Sequence, residues 1–228
     1  FKVPATAAGI QAMTQLISDG ININATLMFS MKHYDAVTDA YLTGLQKRHR
    51  QDKAINTLAS VASFFVSRVD VKVDPLLDKK GLDDLKGEIG IANAKMVYQR
   101  FNQIFRSARW NRLKQHGARL QRVLWGSTST KNPEYPDTLY MDNLIGPHTV
   151  NTVPPKTLDA FLDHATVART LDQKWMNAQK QIERLEKAKI YLLDIGTQLQ
   201  LEGVEKFTKS YDALHKSIAA KRDAVAQH

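Results

Sequence analysis

Short runs of apolar residues alternate along the chain with longer stretches in which apolar residues recur every three or four positions. The short runs are 1–3, 21–29, 58–66, 120–125 and 149–153. Continuously apolar runs of this length are typical of buried parallel strands, and the stretches between them are typical of crossover helices. The pattern therefore predicts an α/β fold with five parallel strands in chain order.

The longer stretches have the apolar spacing of helices that pack on a sheet. Beyond Pro154 and Pro155, which suit the start of a helix, only helices are predicted. The acidic segment 70–87 is predicted to be a loop. The apolar stripes are Ile10, Met13, Leu16 and Ile17; Tyr34, Val37, Tyr41 and Leu45; Ala94, Val97, Phe101, Ile104 and Phe105; Leu171, Trp175, Ala178, Ile182 and Leu185; and Val204, Phe207, Tyr211, Leu214 and Ile218.

Polar side chains stand at the ends of the predicted strands and in the loops directly after them. Five strands with helices between them fit an open doubly wound sheet or part of an eight-stranded barrel. Because βα barrels assemble their active sites at the carboxyl ends of the strands, this placement favours the barrel. No Gly-x-Gly-x-x-Gly or Walker-type loop follows a strand, so nucleotide sites lack support from the sequence. The polar residues are Lys2, Asn24, Thr26, Ser63, Arg68 and 127–131.

Lys2 lies in the apolar segment Phe-Lys-Val-Pro-Ala-Thr at the start of the chain. A lysine among apolar walls has its ammonium form disfavoured, and the neutral amine can add to a ketone to form a Schiff base. The alternative is a solvated lysine at the end of a strand, which is the more common situation. The residues alone leave both interpretations open.

Asn24 and Thr26 are two positions apart on a strand, so their side chains share one face. This is the inward face if Ile23 and Ala25 face the helices. An amide and a hydroxyl there suit substrate hydroxyls or a catalytic water, although Thr is also a common strand residue.

Arg68 and the loop from Ser127 to Lys131 follow two neighbouring strands. They supply the positive charge and the donors that a phosphate needs. Each of these residues taken alone also fits a surface ion pair or a turn.

Composition and charge narrow the classes of function. The 228 residues carry a formal net charge of +9, which attracts nucleic acid, acidic membranes or phosphorylated metabolites. Basic residues are mixed with acidic and apolar ones, which favours a solvated surface over a nucleic-acid site. No apolar run is long enough to span a bilayer, and no membrane partner is expected. There is no cysteine, and the seven histidines form no metal-binding pair. A cytoplasmic location is expected.

Several motifs in the same order resemble the transaldolase family. Lys-Val-Pro-Ala-Thr at 2–6 and the segments 20–30 and 59–70 resemble strands four, five and six of that family. Further matches, to the longer bacterial type, lie at 91–95, 124–133, 149–155 and 202–207. The resemblance implies a (β/α)8 TIM barrel of the class I aldolase type whose first three βα units are absent from this chain. Residues 1–165 would then hold strands four to eight with their helices, and 166–228 would be C-terminal helices packed on the barrel.

The resemblance also implies roles for the polar residues. Lys2 would be the Schiff-base lysine, and Thr26 with Asn24 would position the catalytic water and contact the dihydroxyacetone part of the substrate. Ser63 would line the same pocket.

For the phosphate group of the substrate, the resemblance implies a second set of residues. Arg68 would bind the phosphate, helped by Lys131 and the hydroxyls near Ser127. Some family members have an arginine after a serine in this loop, which leaves the exact loop residues open.

The implied reaction moves a dihydroxyacetone unit between sugar phosphates of the pentose phosphate pathway, such as sedoheptulose 7-phosphate and fructose 6-phosphate. The lysine supplies the electron sink, so no metal or organic cofactor is expected. Two alternatives stay open: a fructose 6-phosphate aldolase-like lyase, and a non-catalytic module for sugar-phosphate binding or assembly.

The chain begins at Phe1, and the family's acid/base aspartate and water-positioning glutamate lie on the first three strands. We therefore expect an upstream segment or a separate chain to supply those three strands, and we expect this chain alone to lack the acid/base carboxylates. The sequence gives no oligomeric state.

Overall fold

A computed structural model of the chain describes residues 1–226, and its centre is a five-stranded parallel sheet. Strands that follow one another along the chain are neighbours in the sheet, so the predicted α/β fold with parallel strands in chain order is confirmed. The strands are β1 (Lys2–Pro4), β2 (Ile23–Met28), β3 (Ser60–Phe65), β4 (Gln121–Gly126) and β5 (Thr149–Asn151).

Helices connect these strands and form the C-terminal part of the described chain. No helix among residues 1–226 combines the length and the apolar character needed to cross a membrane. A short 3₁₀ turn spans Asp83–Leu85. The helices are α1 (Ala7–Asp19), α2 (Met31–His49), α3 (Ser67–Asp78), α4 (Ile89–Ile104), α5 (Ala108–Gln115), α6 (Leu139–Asn143), α7 (Pro155–His164), α8 (Trp175–Lys187) and α9 (Leu192–Ala226).

The prediction of a loop at 70–87 is wrong, because α3 occupies much of that segment. Val69, Val73 and Leu77 lie four residues apart on this helix, and all three side chains are fully buried. This stripe packs beneath a surface rich in charge, and Pro75 lies inside the helix. The charged residues and the proline weaken the helical signal in the sequence. Burial of the apolar stripe nevertheless stabilises the helix.

Two of the helices begin at side-chain caps that the sequence supplies directly after a strand. The Thr6 hydroxyl accepts a hydrogen bond from the backbone N–H of Gly9, and the Ser30 hydroxyl accepts one from His33. Each cap satisfies an N–H group that the first turn of a helix leaves without a partner. The chain can therefore turn from strand to helix within two or three residues, which places side chains at the strand ends close to the next helix.

The helices α1, α2 and α4 cover one face of the sheet. Ile23 and Ala25 of β2 point to this face and belong to the main hydrophobic core. Because side chains alternate along a strand, Asn24 and Thr26 point to the opposite face. Across the sheet, Lys2 is aligned with Asn24, and the same row continues to Val61 and Arg122, outside the main core.

A second hydrophobic core lies at the carboxyl ends of β2 and β3 and includes residues of α3, α8 and α9. The helix α9 is fixed to β2 by its first half. The Gln200 side-chain amide donates hydrogen bonds to the backbone oxygens of Ala5 at 2.9 Å and Leu27 at 3.0 Å. Gly203 lies so close to Leu27 that a Cβ atom at this glycine would stand 2.8 Å from a methyl carbon of that leucine.

Candidate active site

Lys2 lies on the edge strand β1, and its side chain is exposed. Among residues 1–226 its ammonium group has no carboxylate partner within ion-pair distance. Its Nζ atom lies 5.9 Å from the ring centroid of Phe207, which is at the outer limit of a cation–π contact. The long helix α9 therefore brings an aromatic ring over the lysine that the sequence singled out.

Asn24 and Ser63 connect β2 to β3 on the face that carries Lys2. The Ser63 hydroxyl donates a hydrogen bond of 2.6 Å to the side-chain oxygen of Asn24. This contact fixes the orientation of the amide and leaves its two N–H donors available for another group. A fixed amide donor on the strand that pairs with the strand of Lys2 suits recognition of a substrate hydroxyl.

Thr26 follows two residues later on the same face of β2. Its side chain is 3% exposed, and its hydroxyl has no hydrogen-bond partner among the described residues. An unpaired buried hydroxyl costs about 1–3 kcal/mol, and a bound water or substrate oxygen would remove that cost. The hydroxyl is therefore a candidate donor or acceptor for a ligand at this end of the strand.

The end of β2 is irregular where these residues lie. Its register with β3 shifts between Ala25 and Met28, and Leu27 has a φ of 59°. A positive φ is uncommon for leucine and is tolerated where the surrounding packing fixes it. Here the Leu27 side chain is buried in the second core against α9. The bulge redirects the strand end directly after Thr26.

Arg68 lies in the first turn of α3, directly after β3. Its guanidinium carbon is 5.3 Å from the ring centroid of Phe65, and among residues 1–226 it forms no ion pair with a carboxylate. The neighbouring Ser67 is bonded to Ser127 through the two hydroxyls at 2.9 Å and through a backbone hydrogen bond at 3.0 Å. These bonds hold the loop after β3 against the loop after β4, so Arg68 and Ser127 lie at the same edge of the sheet.

Lys131 lies further along the loop after β4, and its side chain is exposed. Its only hydrogen bond within residues 1–226 goes to the Ser129 hydroxyl at 2.7 Å, inside the same loop. Thr128 in this loop is fully buried, and its hydroxyl donates to the side-chain oxygen of Asn151 at 2.8 Å. The start of the loop is thus fixed to β5, whereas Lys131 extends from it into solvent.

A buried carboxyl group, that of Asp70, joins the helices beside the loops after β3 and β4. Asp70 of α3 is 1% exposed and accepts hydrogen bonds from the backbone N–H of Gly90 at 2.7 Å and from the Tyr140 hydroxyl at 2.8 Å. Burial raises the pKa of Asp70 to about 7, although both hydrogen bonds oppose this shift. Asp70 joins α3, α4 and α6 and so fixes the helix that carries Arg68.

Two polar residues of the segment 91–95 donate hydrogen bonds to backbone oxygens of other segments. The Asn93 amide donates to the backbone oxygen of Phe29 at 2.8 Å, at the end of β2. The Lys95 ammonium donates to the backbone oxygens of Thr170 and Gln173. Burial lowers the pKa of Lys95, and the carbonyl oxygens keep the ammonium group hydrogen-bonded.

Two residues of this region, Gln200 and Phe207, carry no signal in the sequence that marks them as part of the site. The apolar stripe of α9 included Phe207 as a packing residue, but its contact with Lys2 joins positions at opposite ends of the chain. Only the crossing of α9 over the ends of β1 and β2 produces that contact. The amide of Gln200 lies between two strand ends for the same reason.

The parallel βα order places the chain in the class of α/β proteins with a parallel sheet, which is consistent with an aldolase-type barrel. The family model described as Transaldolase/Fructose-6-phosphate aldolase matches residues 1–218. The chain therefore belongs to this family, and the resemblance found in the sequence is confirmed.

Individual relatives support the same assignment. A protein named Transaldolase from Mycolicibacterium smegmatis is 44% identical over 228 residues, which cover 98% of this chain and 62% of that protein. A Transaldolase from Thermobifida fusca is 43% identical and covers 96% of this chain and 60% of its own length. A Transaldolase 2 from a Nostoc species is also 43% identical, with 96% and 61% covered. The chain thus spans a little over three fifths of the length of these relatives.

Proposed function

We propose that this chain carries the Schiff-base lysine of a transaldolase, which moves a dihydroxyacetone unit from a ketose phosphate to an aldose phosphate. The observation that carries the proposal is the position of Lys2: its amine has no carboxylate partner within residues 1–226, and its strand position is aligned with Asn24. The names of the relatives agree with this activity. The proposed substrates are sedoheptulose 7-phosphate and fructose 6-phosphate as donors.

The reaction begins when the neutral amine of Lys2 attacks the C2 carbonyl of the ketose. Loss of water gives a protonated imine, and its nitrogen accepts the electron pair when the bond between C3 and C4 breaks. The C4 hydroxyl gives its proton to a base, and the part beginning at C4 leaves as an aldehyde. The bound three-carbon unit then attacks the aldehyde of the acceptor, and water releases the new ketose and restores the amine.

Asn24 and Thr26 bind and orient the three-carbon unit in this proposal. The amide of Asn24 is held by Ser63, so it donates to a substrate hydroxyl without first losing rotational freedom. The Thr26 hydroxyl has no partner among residues 1–226, which leaves it available for the water of imine formation and hydrolysis. Ser63 thus contributes by fixing the orientation of the Asn24 amide.

The phosphate group lies at the edge formed by the loops after β3 and β4. Arg68 supplies a charged fork of donors, and the hydrogen bonds between Ser67 and Ser127 hold both loops there. Lys131 adds a second positive charge from the outer part of the loop. Charge-assisted hydrogen bonds to a phosphate are worth about 1.5–3 kcal/mol each, so Arg68 accounts for much of the preference for phosphorylated sugars.

The sheet is completed in this proposal by three further βα units that close an eight-stranded barrel. The edge strands β1 and β5 each pair on one side only among the described residues. Exposed parallel edges invite pairing, and closure removes them. A preceding segment or a separate chain supplies the three units together with the base that accepts the C4 proton. Residues 1–165 form the barrel part, and 166–228 the C-terminal helices, of which 227–228 lie outside the described residues.

A second candidate is a lyase that uses the same lysine and releases free dihydroxyacetone, since the matching family model is described by both activities. The two are separated by incubating the assembled barrel with fructose 6-phosphate, with and without erythrose 4-phosphate. A transaldolase forms sedoheptulose 7-phosphate only when the acceptor is present. Release of dihydroxyacetone without an acceptor assigns the lyase, and binding of the sugar phosphate without either product assigns a non-catalytic module.

The matched control for this assay is a second lysine on the same chain. Lys32 lies in the first turn of α2 and is exposed, as Lys2 is. Lys2→Arg is expected to abolish product formation because guanidinium stays protonated and cannot attack a carbonyl. Lys32→Arg is expected to keep the activity. Equal activity of the two variants would contradict the role given to Lys2. The pathway of these sugar phosphates leads us to propose a cytoplasmic location.

A further inference from the structure

A large cavity in the described part of the chain lies at the amino-terminal edge of the sheet and reaches Asn24 and Arg122, which stand in the cross-strand row of Lys2. Its volume is about 950 Å³. It is lined by the residues that precede four of the strands: Asn22 before β2, Ala59 before β3, Arg119 before β4 and His148 before β5. Because the strands are parallel, these residues lie together at the amino-terminal edge. We call this space the basic cavity.

Four basic side chains line the basic cavity: Arg106, Lys114, Arg119 and Arg122. No aspartate or glutamate is among its lining residues, and none of the four cations forms an ion pair within residues 1–226. By contrast, Arg100 and Arg109 on the neighbouring helices each pair with an aspartate of α2. The absence of carboxylates is therefore a property of the cavity rather than of this side of the protein.

The basic residues stand on parts of the fold that packing holds in place. Trp110 of α5 is 2% exposed and packs edge-on against Phe105, with ring centroids 4.9 Å apart. This contact fixes α5, which carries Lys114, and the turn that carries Arg106. Arg122 lies on β4, and the backbone oxygen of Arg119 accepts a hydrogen bond from Tyr41 at 2.7 Å. The cations therefore surround one space from a helix, a turn and a strand.

An amide side chain adds neutral donors to the same space. Asn22 lines the cavity, and its side-chain oxygen already accepts a hydrogen bond from the backbone N–H of Ala59. Its side-chain N–H groups are the parts left for a ligand. Positive charges and amide donors around a concave space suit an oxyanion, whereas a nucleic acid is bound by a stripe or a groove open at both ends.

We propose that the basic cavity binds an oxyanion, a phosphate or carboxylate group, at the amino-terminal edge of the sheet. Of the residues proposed to bind or convert the sugar phosphate, only Asn24 also lines this cavity, and the oxyanion site does not use its amide. The oxyanion has two possible sources: a free phosphorylated metabolite, or carboxylate side chains of the chain that closes the barrel. A metabolite and a carboxylate of the closing chain would neutralise the same arginines, and two measurements distinguish these sources.

The first measurement is a calorimetric titration of the 228-residue chain with inorganic pyrophosphate at fixed ionic strength. The double variant Arg119→Gln, Arg122→Gln is expected to bind about tenfold or more weakly, because two charge-assisted contacts are lost. The control is Arg112→Gln, since Arg112 is an exposed arginine of α5 that does not line the cavity. Circular dichroism verifies that each variant is folded. The control is expected to bind as the parent chain does.

The second measurement repeats the titration in the barrel completed by its remaining βα units and adds urea unfolding of the same variants. Retained pyrophosphate binding that depends on Arg119 and Arg122 supports the site and identifies a free metabolite. Lost binding, together with destabilisation by Arg122→Gln but not by Arg112→Gln, supports it and identifies a carboxylate of the closing chain. The proposal is overturned if the chain alone binds no pyrophosphate or binds it equally well in the double variant and the control.

Discussion

Asp70→Asn tests how the buried carboxyl beneath the candidate active site contributes to stability. The carboxyl is 1% exposed and accepts hydrogen bonds from Gly90 and Tyr140. An asparagine has nearly the same shape, its oxygen can accept the Gly90 N–H, and its amide can donate to the Tyr140 oxygen. The substitution therefore removes the ionisation of residue 70 while its two contacts are kept.

The direction of the effect follows from the pKa of Asp70, which burial raises from the ordinary value near 4 to about 7. The folded protein prefers the neutral carboxyl, so the favourable contribution is complete below pH 4 and is lost as the pH rises through 7. With these two pKa values, Asp70 contributes roughly 3 kcal/mol less at pH 8 than at pH 5. The asparagine variant does not titrate at this position and avoids that loss.

The assay is urea unfolding of the protein and of Asp70→Asn at several pH values between 5 and 8. The free energy of unfolding of the variant, relative to the parent, is expected to increase by roughly 3 kcal/mol over this range. Asp78→Asn is the control: Asp78 lies on the same helix, and its exposed ion pair with Lys86 is worth at most about 1 kcal/mol. A relative stability of Asp70→Asn that does not change with pH would refute the reasoning.

Two further predictions concern the phosphate edge and the attachment of α9. Arg68→Ala in the completed barrel is expected to weaken the use of sugar phosphates by about ten- to a hundredfold, with a much smaller effect on unphosphorylated donors; steady-state kinetics checks this, and equal losses would contradict a phosphate role. Gly203→Ala is expected to cost about 1–3 kcal/mol in urea unfolding because its Cβ would meet Leu27 at 2.8 Å. Gly126→Ala, with its nearest contact at 3.7 Å, is the control, and an equal cost for both would argue against that close contact.

The sheet could be predicted from the sequence because its strands lie in continuously apolar runs such as 58–66. Runs of this kind are typical of buried parallel strands. The helix α3 could not, because its stripe of Val69, Val73 and Leu77 is interrupted by charged residues and by Pro75. Burial against α4 and α9 decides the conformation of that segment, and α9 is distant along the chain.

The order of polar residues along the strands can be read from the sequence, but the contacts that these residues make cannot. Residues at the carboxyl ends of parallel strands share an edge, which follows from the order of strands and helices alone. The hydrogen bond between Ser63 and Asn24 depends on strand register, and the bulge at Leu27 depends on packing in the second core. The ring of Phe207 over Lys2 depends on how α9 crosses the sheet. None of these three has a local signal in the sequence.

The proposed reaction requires Lys2 to form a covalent imine with a sugar phosphate. The most direct test treats the completed barrel with fructose 6-phosphate and sodium borohydride, digests it and locates the reduced adduct by peptide mass spectrometry. An adduct is expected on Lys2, absent from Lys2→Arg and unchanged in Lys32→Arg. An adduct on a different lysine, or active enzyme with no adduct on Lys2, would contradict it.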